Sequence, residues 1–173
     1  MKKSFSAFLL IIGFSVSLTA QNQSIPDVEL KTVDGTPIMS SDILDADGVT
    51  VLFFWDSESG KCCDNLEVLQ STLEDDLQQA DVKMVAVCTD CHGSWNHIKP
   101  MANGKNWEFD IYIDTNDELK RSLGISNIPS SMLYDKDKNL VCRQSGFGDG
   151  NEEIICETIT QNLETSNQLT EVK

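Results

Sequence analysis

Val49-Thr50-Val51-Leu52-Phe53-Phe54-Trp55 is the stretch that decides the fold: seven residues without a charge, six of them apolar. A strand with one wet face alternates apolar and polar residues, whereas a strand covered on both faces reads as a continuous apolar run. The stretch therefore predicts a central strand with a packed layer on each side. After Gly60, Leu66, Leu69, Leu73 and Leu77 recur at the spacing of one helical face, with Glu67, Glu74 and Asp75 outside it. Residues 82–88 are a second apolar run. Strand, helix and strand in that order make a parallel unit of an α/β sheet, whose functional site lies beyond the carboxyl ends of the central strands. Those ends carry residues 55–63 and 88–92, where four of the six cysteines fall.

Outward from this unit the signals are shorter. Residues 25–30 alternate, Asp34-Gly35 turns the chain and residues 37–39 return it, which predicts an N-terminal hairpin. A helix is expected over 94–101 with Pro100 near its end, a strand over 109–113, and a helix over 116–123 closed by Gly124. A hairpin of residues 132–135 and 140–143, then an amphipathic helix over 152–163, complete an α/β sandwich with a parallel centre and an antiparallel edge.

The 173 residues hold 13 basic and 28 acidic side chains, a formal charge of −15. Phosphate backbones are bound by clustered Lys and Arg, so this balance argues against nucleic acid or anionic lipid as the main partner. Lys2 and Lys3 precede an apolar run over 5–18, followed by Thr19-Ala20 and a polar stretch. That is the pattern of a secretory signal peptide over 1–20, with an uncleaved anchor as the alternative. A domain over 21–165 and a flexible tail over 166–173 would remain, periplasmic or secreted, without stable membrane insertion after cleavage. Thiols in such a compartment can pair.

The order of the pieces resembles the TlpA/ResA-type extracytoplasmic thioredoxin-like proteins of the AhpC/TSA–redoxin superfamily. The matching residues are Pro26-Asp27-Val28-Glu29-Leu30, Val51 to Trp55, Val85-Ala86-Val87-Cys88-Thr89-Asp90, Lys99-Pro100, Asn103-Gly104-Lys105, Trp107, Leu119-Lys120-Arg121, Ile128-Pro129 and Leu133-Tyr134-Asp135. The resemblance covers nearly all of residues 25–165. It implies a thioredoxin-like sandwich with a mixed central sheet, a substrate groove formed by Trp55, Ile128 and a cis Pro129, and thiol–disulfide exchange with protein thiols or disulfides of extracytoplasmic clients. A membrane thiol reductase is a second kind of partner, and no cofactor is implied. In the family, Trp-Cys-x-x-Cys follows the Phe-Trp strand; here the first cysteine position falls on Ser59 and the second on Cys62, within Ser59-Gly60-Lys61-Cys62-Cys63. The attacking thiol of the family is replaced by a hydroxyl.

The candidate catalytic residues are therefore Cys62, Cys63 and Ser59. A thiol near a helix N-terminus is favoured as thiolate by the unpaired N–H groups there, and Lys61 adds a cation. Cys62 and Cys63 suit each other poorly as bridge partners, since neighbouring helical side chains point about 100° apart; one is expected to face the site. The bland alternative is that both simply fill the core. Cys88-Thr89-Asp90-Cys91 supplies a candidate resolving pair, Cys88 and Cys91, or a structural disulfide. Cys142 and Cys156 are either a bridge or two buried thiols. Cys88 to His92 also spells the C-x-x-C-H pattern of c-type haem attachment, and Cys62, Cys63, Cys88 and Cys91 are suitable zinc ligand types. Both readings are weaker than the redox one, so no metal is assigned. Ser59-x-x-Cys62 resembles the hydroxyl-and-thiol motif of peroxiredoxins, but Trp55 stands where that motif has proline. His92 and His97 read as solvated residues. Three functions follow: a thiol–disulfide protein with an altered motif, a non-catalytic binding module of the same fold, or a one-cysteine peroxidase.

Overall fold

The computed structural model describes residues 23–45, 48–76, 82–89, 95–146 and 154–161. The expected signal peptide, Cys91, His92 and the C-terminal tail lie outside the described residues. Seven strands form one mixed sheet: β1 (Glu29–Thr32), β2 (Pro37–Met39), β3 (Val49–Trp55), β4 (Val82–Cys88), β5 (Asp110–Ile113), β6 (Ser130–Tyr134) and β7 (Leu140–Ser145). Their spatial order is β2-β1-β5-β4-β3-β6-β7. β3, β4 and β5 are parallel, and the remaining pairings are antiparallel. The N-terminal hairpin is β1–β2, turned at Gly35 with φ +86°, a backbone region that glycine enters without the Cβ penalty. Among the described residues, no helix is long and apolar enough to cross a membrane.

Every residue of β3 is buried. Alternation sends Val49, Val51, Phe53 and Trp55 into one hydrophobic cluster, and Leu52 and Phe54 into the other. The first cluster is covered by α1 (Gly60–Asp76), through Leu66, Leu69 and Leu73, and by a last helix α4 (residues 154–161), through Ile155 and Ile159. The second is closed by α3 (Glu118–Ser122) with Leu119, and by the N-terminal segment with Leu30 and Ile43. The one polar side chain of β3, Thr50, is satisfied: its Oγ1 accepts the Asp45 N–H at 2.9 Å.

Two helices differ from expectation. α2 spans Ile98–Lys105, not 94–101, and Pro100 lies in its first turn. The first N–H groups of a helix have no internal partner, so proline removes nothing there. The helix ends where Asn106 adopts a left-handed conformation, its N–H meeting the carbonyls of Ala102 and Asn103. α3 is a single turn, shorter than the expected 116–123. Its start is set by the buried Asp114, whose carboxylate accepts N–H groups from Glu118 at 2.8 Å and Lys120 at 2.9 Å. Strand β6 begins at Ser130, two residues before the expected start, because Ser130 and Ser131 are buried in the sheet despite their hydroxyls. The Ser130 hydroxyl donates to the Gln144 carbonyl at 2.9 Å.

Candidate functional site

The carboxyl end of β3 is fastened to its neighbours through the backbone. Trp55 pairs with Cys88 in the parallel register, and the Thr89 N–H reaches the Trp55 carbonyl at 3.1 Å. The Asp114 N–H donates to the Cys88 carbonyl at 2.9 Å. On the other side Phe54 pairs with Ser130, so Pro129, which immediately precedes it, stands at the same end of the sheet as Trp55. The Ile128-Pro129 peptide bond is cis, as the resemblance implied. Pro129 is buried, its carbonyl accepts the Gly146 N–H at 2.8 Å, and half-buried Ile128 packs on the cluster that holds Trp55. The three groove residues named from sequence thus share one end of the sheet.

The chain leaves β3 through a tight turn, in which the Asp56 side chain accepts the Glu58 N–H at 2.8 Å and the Asp56 carbonyl accepts that of Ser59. Helix α1 then begins at Gly60 with Ser59 as its cap. The Ser59 Oγ accepts the Cys62 backbone N–H at 3.3 Å, and the Ser59 carbonyl accepts the N–H of Cys63 at 3.1 Å. A serine in this position bonding the third helical N–H is the preferred N-cap arrangement. Its oxygen is therefore directed at the Cys62 backbone.

Exposure divides these side chains. Ser59 is half-exposed, whereas Cys62 is only 1% exposed and Cys63 only 6%. Both thiols, with Cys88, belong to the cluster beneath α1. Cys62 and Cys63 both line the core, and neither forms a disulfide. Burial pushes the Cys63 thiol up from its ordinary value, and the Lys105 ammonium only partly opposes this. Lys105 itself is ion-paired with Glu67. Cys142 is also a free thiol, so the Cys142–Cys156 bridge is not made in this structure.

Trp55 is wholly buried and meets Trp107 edge to face, with ring centroids 5.3 Å apart. Trp107, half-buried, stacks on Phe109 in turn. This aromatic ladder gives the site a rigid floor. Sequence reasoning missed one further pair. Ser57, buried at 6%, has its Oγ 2.9 Å from Nε2 of the exposed His97, tying the turn before α1 to the residue before α2. Forty positions separate the two residues, and only their placement at one end of neighbouring strands signalled the contact. Among the described residues, no group of three or more His, Cys, Asp or Glu side chains is arranged to hold a metal ion. The Cys91 and His92 half of the haem pattern and the fourth zinc candidate fall outside the described residues.

The comparisons agree with this architecture. The fold is similar to that of an uncharacterized thioredoxin-like protein from Porphyromonas gingivalis, with TM-score 0.72, 24% identity, and 81% of this chain and 92% of that one covered. It is similar to StoA from Bacillus subtilis, with TM-score 0.59, 22% identity, and 78% and 96% covered. A secreted Mycobacterium tuberculosis disulfide oxidoreductase aligns with TM-score 0.60 at 13% identity, covering 78% and 95%. No curated protein matches the sequence. The AhpC/TSA family model matches residues 22–143. With its mixed sheet, its cis Pro129 and that match over most of its length, the chain belongs to the AhpC/TSA family and has a thioredoxin-like fold.

Proposed function

We propose that the chain is an extracytoplasmic thioredoxin-like protein of the TlpA/ResA type that engages protein thiols or disulfides through a single site thiol, Cys62. The observation that carries this reading is the split within one helical turn: a half-exposed hydroxyl at Ser59, and the buried thiol of Cys62 three residues on. Ser59 stands where the family's attacking thiol would be, and it cannot form a disulfide. Cys62 as thiolate would displace one sulfur of a client disulfide, forming a mixed disulfide and releasing the other client sulfur as thiolate. Resolution then requires a second thiol, for which Cys88, in the same cluster, and Cys91 are the candidates, or an external reductant such as a membrane thiol reductase.

Several features support the setting. Residues 1–20 have the composition of a cleaved leader, leaving 11 basic against 28 acidic side chains. The similar M. tuberculosis protein is described as a secreted disulfide oxidoreductase. The burial of Cys62 favours a second reading, in which the groove between Ser59 and Pro129 holds an extended client segment without chemistry. The one-cysteine peroxidase is less favoured, because Trp55 stands where the peroxiredoxin motif has proline.

Incubating the protein with a disulfide-bonded client peptide, then acid-quenching and analysing it by mass spectrometry, separates these readings. A mixed disulfide through Cys62, absent from Cys62→Ser, is the expected result. Peptide binding that is equal in wild type and Cys62→Ser, with no covalent product, establishes the binding module instead.

A further inference from the structure

The thiol assigned to the site is out of reach in the folded chain. Cys62 is 1% exposed and lies in the cluster beneath α1 with Trp55, Leu66 and Ile98, so no client sulfur meets it until part of the structure opens. The flanks of its segment are fixed. Trp55 is wholly buried and paired with Cys88 in the centre of the sheet, and Leu66 is wholly buried in the second turn of α1. Between them, the first turn of the helix makes two bonds to Ser59: the Cys62 N–H to its Oγ at 3.3 Å, and the Cys63 N–H to its carbonyl at 3.1 Å. Helix ends leave N–H groups without internal partners and open at lower free energy than core strands. We propose, on the reading that Cys62 is the site thiol, that it becomes reactive through fraying of this first turn, and that the Ser57–His97 bond is the latch that sets how often the turn frays.

Position makes Ser57 the attachment point. Among residues 56–59 it is the one buried side chain, whereas Glu58 is exposed and Asp56 and Ser59 are half-buried. The Asp56 bonds to the Glu58 and Ser59 N–H groups lie within the turn and shape it. The Ser57 Oγ instead reaches 2.9 Å to Nε2 of His97, at the start of a different helix. His97 is itself held: its carbonyl accepts the Met101 N–H at 3.0 Å, and the next residue, Ile98, is wholly buried in the cluster that contains Cys62. An anchored imidazole therefore grips the chain two residues before the cap of α1. Fraying that carries Cys62 out of the core pulls on this point, while β3 and β4 stay paired behind it.

The bond does not depend on one tautomer. Nε2 accepts the hydroxyl proton when it carries none itself, and donates to the hydroxyl oxygen when it does, so the grip survives either form. One net hydrogen bond changes an opening equilibrium by about three- to tenfold. The thiol is thus kept covered between encounters without being sealed.

The test follows the labelling of each thiol by a maleimide in increasing urea, read by peptide mass spectrometry. Cys88, wholly buried in β4, reports unfolding of the sheet. In the wild type, Cys62 and Cys63 are expected to label faster than Cys88 and with a weaker urea dependence, because fraying exposes less surface than unfolding. Ser57→Ala and His97→Ala should each speed Cys62 labelling about three- to tenfold. Combining them should add little, since both remove one bond. His97→Gln, whose amide can donate or accept, should return the rate towards wild type. Ile43→Val, a comparable loss in the opposite layer of the core, should speed Cys88 and leave Cys62 unchanged. His97 is exposed, so its variants decide the matter should Ser57→Ala fail to fold. Cys62 and Cys88 labelling with one urea dependence, or a Cys62 rate unmoved in the latch variants, overturns the latch. Maleimide needs no client, so a protein that labels as expected yet forms no mixed disulfide keeps the latch and loses the reading of Cys62 as the site thiol.

Discussion

The loop before β6 and the first turn of α1 face the same end of the sheet, yet they hold their family character to different degrees. At the β6 side the fold is intact: Pro129 is cis, its carbonyl is bonded to Gly146, and Ile128 packs on the core. At the α1 side the backbone is equally regular, with Ser59 capping the helix and Cys62 buried behind it. What differs is the chemistry presented: the α1 side offers a half-exposed hydroxyl at Ser59, with the Cys62 sulfur covered. A backbone frame is built by strand register and packing, which many residues enforce together, whereas nucleophilic chemistry resides in one atom and depends on that atom being reached. The comparison therefore separates an intact backbone frame from the accessibility of a sulfur.

The largest expected effect comes from placing a sulfur at position 59. Ser59→Cys places a second, half-exposed thiol three residues before Cys62 at the start of a helix already formed. Turnover of a disulfide-bonded substrate such as insulin should rise over wild type by roughly a hundredfold or more, in line with what removing a nucleophile costs other enzymes. The oxidised variant should contain a disulfide between the introduced thiol and Cys62, seen by mass spectrometry. A variant that forms this disulfide but does not turn over would show that the wall is not shaped for clients, and the two regions would then differ less than proposed.

How much of this was legible beforehand follows from how each element is stabilised. β3 and β4 have the expected bounds, because strands covered on both faces are apolar at nearly every position, Thr50 and Lys83 apart, and end where the apolar run ends. α2 lies away from its expected place because Pro100 reads locally as a terminator, while its actual tolerance depends on a start four residues later than expected. The serines of β6 read as loop, and only their burial beside β3 and β7 makes them strand. At the site, the substitution at Ser59 could be read by counting from Trp55. The burial of Cys62 and Cys63 together stood there only as the alternative, since it depends on α1, β3 and β4 closing over both, and no local pattern fixes the rotation of a helix start. The Ser57–His97 contact is likewise created only by the sheet.

The aromatic floor shared by the two regions supplies the next effect. Trp55 is fully buried, and Trp55→Ala should destabilise the protein by about 3–5 kcal/mol, measured by urea denaturation, and should speed alkylation of Cys62 by opening the space over it. Trp55→Phe should cost less than ~2 kcal/mol, because it retains an aromatic ring and discards an indole N–H that has no hydrogen-bond partner. Equal losses in the two variants would show that the floor depends on the indole itself.

The opposite layer of the core gives a pH signature that leaves the site untouched. The chain has two tyrosines, Tyr112 and Tyr134, both buried. Burial, with the Asp110 carboxylate beside it, pushes the Tyr112 phenol up to about 12. Burial likewise takes Tyr134 to about 12, against the opposing charge of Arg143. The folded state holds these protons above pH 10 and the unfolded state releases them, so stability is complete below about pH 10 and falls as pH rises towards 12. The loss should approach ~2–3 kcal/mol for each phenol, taking about 1.4 kcal/mol per pH unit. Phenolate absorbance should therefore lag in the native protein and appear together with unfolding. Ionisation near pH 10 without unfolding would place the tyrosines in water.

The smallest expected effect tests what Ser59 contributes now that it is not a thiol. Ser59→Ala removes the hydroxyl that accepts the Cys62 N–H and should cost about 1 kcal/mol of stability. Ser59→Asp supplies another capping oxygen and adds negative charge at a helix N-terminus, so its stability should match or exceed wild type. If Ser59 acts only as a cap, the mixed disulfide through Cys62 should form at similar rates in wild type and Ser59→Asp once both are folded. If its hydroxyl also assists the thiol, trapping should slow in both variants even though their stabilities move apart. Comparing melting temperature with trapping rate across the two substitutions thus measures how far the Ser59 hydroxyl serves chemistry and how far structure.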